Sequence, residues 1–222
     1  MKRTIEKIES KKIIAIVRNI QKDKLIKLCQ ALYDGGIRLV ECTYDASGIT
    51  ADVETANKIK LIASEFGEQM TVGAGTVLTE KQVELTKKAG GKFIISPDVN
   101  TDVIKKTKLE GLVSIPGALT PSEITSAIRF GADFIKLFPV NAVGGLDYIK
   151  AVSAPLSNVK FLAVGGVNEN NISSFIKAGF CGVGIGNGIV NTKMIENDDY
   201  IGITNLAKKF IENTLAETEK IK

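Results

Sequence analysis

The stretch Ile13-Ile14-Ala15-Ile16-Val17 is a continuous run of apolar, mostly β-branched residues. Such a run is typical of a β-strand that is covered on both faces, as in a parallel sheet. Further runs of this kind follow at intervals of roughly 19 to 31 residues, about the length of one strand–helix unit. They predict seven more strands, at residues 39–42, 70–74, 93–96, 112–115, 134–137, 161–164 and 183–186.

The intervals between these runs predict helices. Residues 24–33 and 55–66 place apolar residues at helical spacing, and residues 1–11 predict a short N-terminal helix with Ile5 and Ile8 buried. The helix starts are marked by predicted capping residues, and the helix ends by glycines that precede the next strand. The capping residues are Thr79 with Gln82, Thr120 with Pro121 and Glu123, and Asn168; the glycines are Gly35-Gly36, Gly90-Gly91, Gly131 and Gly179.

A repeated strand–helix–glycine unit indicates parallel strands with right-handed crossovers, and eight such units predict a closed (β/α)₈ barrel of the TIM type, in the α/β class. The alternative is a doubly wound open sheet, but no GxGxxG follows the first strand. No linker or composition shift divides the chain. We therefore predict one barrel domain over residues 1–222, with a C-terminal helix at about 198–218 and a frayed charged tail.

The composition excludes several classes of function. The 222 residues carry a net charge of +4 in interspersed charges, which favours a solvated surface over a nucleic-acid footprint. The chain has no histidine, which removes the commonest general base and the commonest metal ligand, and no cofactor is expected. Cys29, Cys42 and Cys181 lack CxxC spacing, which favours reduced thiols. No apolar run approaches about 18 residues, and the sequence therefore predicts a cytoplasmic protein without membrane contact.

The predicted sixth strand carries a lysine among apolar residues, in the stretch Phe134-Ile135-Lys136-Leu137-Phe138-Pro139. Because side chains alternate along a strand, Phe134, Lys136 and Phe138 are expected on one face. Desolvation there would lower the pKa of Lys136 and make its amine a nucleophile able to form a Schiff base with a ketone. The alternative is a lysine that extends from the strand end to water.

Other residues at the predicted strand ends also suit chemistry, since barrel active sites lie at the C-terminal ends of the strands. Arg18, after the first strand, suits a carboxylate or phosphate, or else a salt bridge to a nearby loop. Glu41, inside the second strand, would move protons near Lys136, or form a structural ion pair with it. Gly165-Gly166 and Gly186-Asn187-Gly188 would expose backbone N–H groups that can bind a phosphate.

Taken together, the motifs at these strand ends resemble those of the 2-keto-3-deoxy-6-phosphogluconate aldolases, the family that also contains 4-hydroxy-2-oxoglutarate aldolase and the phosphogalactonate counterpart. The matching pieces occur in family order over about residues 13–190. They are Val40-Glu41-Cys42-Thr43, Gly73-Ala74-Gly75-Thr76-Val77-Leu78, Ile95-Ser96-Pro97, Ile115-Pro116-Gly117, Ile135-Lys136-Leu137-Phe138-Pro139 and Val164-Gly165-Gly166-Val167.

The resemblance implies a metal-free class I aldolase, usually a homotrimer, that cleaves a 2-keto-3-deoxy acid to pyruvate and an aldehyde. It implies the Schiff-base lysine at Lys136 and the general acid/base at Glu41, which acts through a water. The remaining site residues that it implies are Thr76 and Arg18 for binding, Pro97 and Phe138 around the lysine and the pyruvate methyl group, and Gly165, Gly166 and Gly186 with Asn187 in the phosphate loops.

Two positions depart from the family pattern. Many members have an arginine four residues after the glutamate, where this chain has Asp45, and a serine where this chain has Asn187. The expected substrate is therefore 2-dehydro-3-deoxy-6-phosphogluconate, 4-hydroxy-2-oxoglutarate or another 2-keto-3-deoxy acid, phosphorylated or not. The alternative functions are a phosphate-binding barrel isomerase or decarboxylase, and a non-catalytic sugar-acid binding protein.

Overall fold

The computed structural model describes residues 1–218, so the predicted charged tail at 219–222 lies outside the described residues. The described chain alternates strands with helices, as predicted. The strands are β1 Ile13–Val17, β2 Leu39–Thr43, β3 Thr71–Gly75, β4 Phe93–Ile95, β5 Val113–Ile115, β6 Gly117–Ala118, β7 Ile135–Leu137, β8 Phe161–Val164 and β9 Gly182–Ile185. Each predicted strand matches an observed one to within one or two residues, and only the two-residue strand β6 was not predicted.

The strands form a parallel barrel. They pair in the order β5-β4-β3-β2-β1-β9-β8-β7-β6, and the two ends of this order, β5 and β6, are consecutive in the chain and separated only by Pro116. Proline has no N–H and interrupts the ladder, so one segment pairs first with β4 and then with β7. The (β/α)₈ barrel is therefore confirmed, and the short strand β6 after Pro116 continues the predicted fifth strand.

The helices lie between the strands and begin at α1, which precedes the barrel. Their bounds are α1 Lys2–Lys11, α2 Lys22–Asp34, α3 Asp52–Phe66, α4 Glu80–Lys88, α5 Thr101–Leu109, α6 Pro121–Arg129, α7 Gly145–Ser153, α8 Ile172–Lys177, α9 Thr192–Glu196 and α10 Tyr200–Thr218, with a 3₁₀ turn at Val140–Val143. In the described part of the chain, no helix is long and apolar enough to cross a membrane.

The predicted helix boundaries hold with one exception. Both capping boxes form, at Thr79 and at Thr120, and the predicted glycines Gly36, Gly90, Gly131 and Gly179 have the left-handed conformation that ends a helix. The assignment of Asn168 as the cap of α8 is wrong, since Asn171 occupies the N-cap. An extra turn precedes this helix, and the Asn168 side chain accepts hydrogen bonds from the N–H groups of Asn170 and Asn171 within it.

The core consists of two layers. The outer layer lies between the strands and the surrounding helices, and the inner layer fills the barrel. Ile8 of α1 is fully buried in the inner layer, so α1 packs against the barrel interior, while Ile5 is only partly buried. The inner layer comprises Ile8, Ile14, Leu39, Phe93, Ile95, Val113, Ile115, Phe134 and Leu162.

Asp133 anchors the start of β7. Both of its carboxylate oxygens lie 2.6 Å from the Lys108 ammonium, and one accepts a hydrogen bond of 2.8 Å from the Ser114 N–H on β5. The Asp133 and Lys108 side chains are mostly buried, at 13% and 24% exposure. This contact ties β7 to β5 across Pro116, so it fixes the segment that carries Lys136.

We predict that Asp133→Ala lowers the free energy of unfolding by about 2–4 kcal/mol, because it leaves a buried ammonium and a strand N–H without their partner. Urea denaturation measures this loss. Asp133→Asn is the matched control: it keeps an acceptor for Ser114 and is expected to lose less. A change within about 0.5 kcal/mol for the alanine variant, typical of an ordinary surface substitution, would contradict the anchoring role.

Candidate active site

Lys136 lies inside the barrel. Its neighbours Ile135 and Leu137 pack in the outer layer, whereas Phe134 packs in the inner one. Because side chains alternate along a strand, Lys136 shares the interior face with Phe134, as predicted. The residue is only 9% exposed, so it does not extend along the surface into water.

Burial lowers the pKa of Lys136 below the ordinary 10.5, because the ammonium loses its water shell. The charge of Glu41 opposes this shift and that of Arg18 adds to it. The Phe138 ring packs against the amine, with its centroid 4.4 Å from Nζ. A lowered pKa increases the fraction of neutral, nucleophilic amine near pH 7.

Glu41 is also buried, with 3% exposure. Burial raises the pKa of its carboxyl group, while the charge of Lys136, a hydrogen bond from Thr43 and the charge of Arg18 lower it. The Thr43 hydroxyl donates to Oε1 over 3.1 Å. A carboxyl group with a raised pKa can take up and release a proton near neutral pH.

Glu41 and Lys136 face each other without touching. Both are described residues, and no nitrogen–oxygen distance within 4.0 Å joins them. The structural ion pair considered as the alternative for Glu41 is therefore not formed. The two side chains influence each other's pKa across a gap.

Arg18 follows β1 and is exposed at the C-terminal end of the barrel. Its positive charge reaches both interior groups, since it lowers the pKa of Lys136 and of Glu41. Among the described residues, Arg18 has no carboxylate partner within 4.0 Å. The alternative of a salt bridge to a neighbouring loop is therefore not formed, and the guanidinium is available to an anionic ligand.

Thr76 and Pro97 follow β3 and β4 at the same end of the barrel. Thr76 has a φ of 53°, a left-handed conformation that is costly for a β-branched residue and is most often kept at functional sites. Pro97 is held close to β6, since a Cβ on Gly117 would meet the Pro97 carbonyl oxygen at 2.4 Å. Both residues are partly exposed at the barrel mouth.

The glycine loops after β8 and β9 present free backbone groups. Gly165 and Gly166 have φ values of 97° and 80°, and Gly186 and Asn187 directly follow β9. Within the described chain, the N–H groups of these four residues have no backbone partner. Free N–H groups at strand ends are the donors that an anionic group requires.

No role in the site was assigned from the sequence to two residues near the mouth of the barrel, Thr43 and Asn141. Thr43 has the same strand parity as Glu41, which was the available signal for its contact with the carboxylate. Asn141 lies on the 3₁₀ turn after Pro139, and its side chain packs on Gly166, where a Cβ would meet it at 2.7 Å. No sequence signal marks Asn141, because the contact depends on how that turn folds over the loop after β8.

Asp45 is engaged within its own loop. Its carboxylate accepts hydrogen bonds from the Ser47 hydroxyl at 2.6 Å and from the N–H groups of Ser47 and Thr50, both at 2.9 Å. These bonds lower the pKa of Asp45 to about 2. Asp45 therefore organises residues 45–50 and does not pair with Arg18 or a lysine. The Asp-x-Ser sequence was the signal for this turn.

Comparisons with known proteins agree with this architecture. The model of the KDPG and KHG aldolase family matches residues 4–206. The 2-dehydro-3-deoxy-6-phosphogalactonate aldolase of Escherichia coli K12 is 34% identical over 78% of this chain and 82% of its own. The KHG/KDPG aldolase of the same strain is 35% identical over 84% of both chains.

A solved structure of a KDPG aldolase has a similar fold. The KDPG aldolase from Legionella pneumophila, with pyruvate captured at low pH as a covalent carbinolamine intermediate, superposes with a TM-score of 0.81 at 28% identity. The match covers 90% of this chain and 94% of that one.

The fold and its relatives define an α/β-barrel aldolase, which is a lyase. More specifically, the chain belongs to the KDPG and KHG aldolase family, whose members are named after 2-keto-3-deoxy-6-phosphogluconate and 4-hydroxy-2-oxoglutarate.

We predict that Thr43→Val raises the pKa of Glu41, because the lost hydroxyl stabilises the charged carboxylate. Titration of selectively labelled glutamate side chains by ¹³C NMR measures the change. Thr43→Ser keeps a donor and is expected to titrate like the unmodified protein. An unchanged Glu41 titration in the valine variant would contradict the assigned contact.

Proposed function

We propose that this protein is a class I aldolase that cleaves a 4-hydroxy-2-oxo acid to pyruvate and an aldehyde, with Lys136 as the Schiff-base nucleophile. The observation that carries the proposal is the buried Lys136 amine, whose pKa is lowered and whose partner Glu41 lies nearby without an ion pair. The carbinolamine captured in the Legionella relative supports the same type of chemistry.

In the proposed reaction, the neutral Lys136 amine adds to the C2 carbonyl of the substrate, and the resulting carbinolamine loses its hydroxyl group as water. The protonated Glu41 carboxyl group donates the proton for this loss, so a protonated imine forms and Glu41 is left as a carboxylate. Glu41, acting through one water, removes the proton of the C4 hydroxyl group. The C3–C4 bond then breaks, its electron pair moves to the imine nitrogen, and the aldehyde departs from an enamine of pyruvate. Glu41 returns a proton to C3, and hydrolysis of the imine releases pyruvate and the Lys136 amine.

The remaining site residues would hold the two ends of the substrate. Thr76 and Arg18 would bind the pyruvate carboxylate, and Pro97 and Phe138 would pack around the lysine and the methyl group. The imine nitrogen accepts the electrons, so the proposed reaction uses neither metal nor cofactor. The groups proposed for the distal end of the substrate are the N–H groups of Gly165, Gly166, Gly186 and Asn187.

The candidate substrates are 2-dehydro-3-deoxy-6-phosphogluconate, its galactonate epimer and 4-hydroxy-2-oxoglutarate, which are the compounds in the names of the relatives. Residues 45–50 contain no lysine or arginine, so no cation from that loop would bind the distal group. We therefore expect the free backbone N–H groups to bind it. Comparison of kcat/KM for phosphorylated and plain acids identifies the substrate.

The same proposal includes a single domain over residues 1–222, a homotrimer and a cytoplasmic location. The resemblance to the family implies the homotrimer, while the domain count and the location rest on the sequence predictions. Light scattering tests the assembly: a homotrimer has three times the 23.8 kDa chain mass.

We predict that pyruvate and borohydride give a reduced pyruvyl adduct on Lys136, seen by intact mass and peptide mapping, and that Lys136→Ala abolishes both adduct and cleavage. Lys150→Ala, which removes an exposed lysine on α7, is the matched control and is expected to retain both. If the folded protein forms no adduct, the proposal is wrong and an isomerase or decarboxylase on the same barrel becomes the better hypothesis.

We predict that Glu41→Gln lowers kcat by about 10²–10⁴-fold, the usual contribution of a general acid/base, with little change in pyruvate binding. Steady-state kinetics together with a pyruvate-binding titration separate the two effects. An increase in KM with unchanged kcat would assign Glu41 to binding and would remove it from the proton-transfer step.

A further inference from the structure

The carboxylate of Glu41 lies directly against the α-carbon of Gly75. A Cβ added to Gly75 would lie 1.5 Å from Oε1, 2.1 Å from Cδ and 2.7 Å from Cγ of Glu41, and no other atom would be as close. Gly75 is not among the residues with positive φ, so the backbone itself would accept an alanine. The three atoms nearest to such a Cβ all belong to Glu41.

The register of the strands explains this contact. Glu41 on β2 is paired with Gly73 on β3, and Thr43 is paired with Gly75. The Glu41 side chain leans toward the C-terminal end of the barrel, where it meets the bare backbone of Gly75 and the Thr43 hydroxyl at 3.1 Å. The carboxylate is thereby held against β3.

We propose that Gly75 is a positioning residue that keeps the Glu41 carboxylate apart from the Lys136 amine. This inference rests on the proposed aldolase function. Because ordinary contacts begin near 3.4 Å, a methyl group at position 75 would displace the carboxylate by about 2 Å. The displaced carboxylate would stay within the barrel interior, which it shares with Lys136.

An ion pair formed in this way would suppress the nucleophile. The charged groups that act on Lys136 are Glu41 from β2 and Arg18 from the end of β1, and those that act on Glu41 are Lys136 and Arg18. A carboxylate brought into contact favours the ammonium over the neutral amine. The gap maintained by Gly75 therefore preserves the amine that adds to the ketone.

The test is Gly75→Ala, with the rate of borohydride-trapped pyruvate adduct measured against pH. We expect the midpoint of the rate profile to rise by about one to three pH units, the usual effect of a close opposite charge on a titrating group. The adduct would then form at least about tenfold more slowly at pH 7. Gly75→Ala/Glu41→Asp, whose shorter carboxylate clears the methyl group, is expected to return the midpoint toward that of Glu41→Asp alone.

The matched control is Gly91→Ala. Its Cβ would also collide, at 2.5 Å, but with the Thr86 side chain between α4 and β4, away from Lys136. This variant is expected to lose stability without moving the pH midpoint. A midpoint moved equally in both variants, or an unmoved midpoint in Gly75→Ala, would overturn the positioning role.

A second measurement covers the case in which Gly75→Ala folds poorly. Thermal unfolding of Gly75→Ala, Glu41→Ala and the double variant reports the contact itself. We expect the loss of stability in Gly75→Ala to disappear when Glu41 is also truncated, and equal losses in both backgrounds would overturn the inference. A failure of the proposed aldolase function would be seen in a different result: the unmodified protein would form no borohydride-trapped pyruvate adduct.

Discussion

The reactivity proposed for this protein depends on the burial of one lysine amine, that of Lys136, inside the barrel. Water is excluded around Lys136 by the inner layer and by the Phe138 ring, so the ammonium form loses solvation that the neutral amine does not need. A pKa that is lower by one corresponds to about 1.4 kcal/mol of free energy against the charged form. The rest of the fold must offset this unfavourable free energy. The two-layer core and the contact between Asp133 and Lys108 contribute to that compensation.

The second constraint is the relation between Lys136 and Glu41. Burial alone favours the neutral form of both groups, while their mutual attraction favours the charged form of both. Direct contact would resolve this conflict in favour of an ion pair. The gap between them, with Thr43 and Gly75 holding the carboxylate on β3, leaves both groups able to exchange protons.

The sequence was most informative where a local pattern has a single physical cause. Apolar runs located the strands, and the parity of Phe134 and Lys136 placed the lysine inside the barrel, because strand alternation is nearly invariant. The division at Pro116 was missed, since periodicity does not show that one segment pairs with different neighbours on either side of a proline. The contact between Gly75 and Glu41 could not be predicted either, because it depends on the register of two strands.

The measurement that tests the central claim most directly is the titration of Lys136 itself. Protein labelled with ¹³C at the lysine ε-carbons, with Lys136→Met used to assign the resonance, reports the pKa of the amine without substrate. We predict that the pKa of Lys136 lies below the ordinary 10.5. A Lys136 resonance that titrates at or above that value would mean that the amine is charged and solvated, and it would contradict the burial on which the proposed chemistry depends.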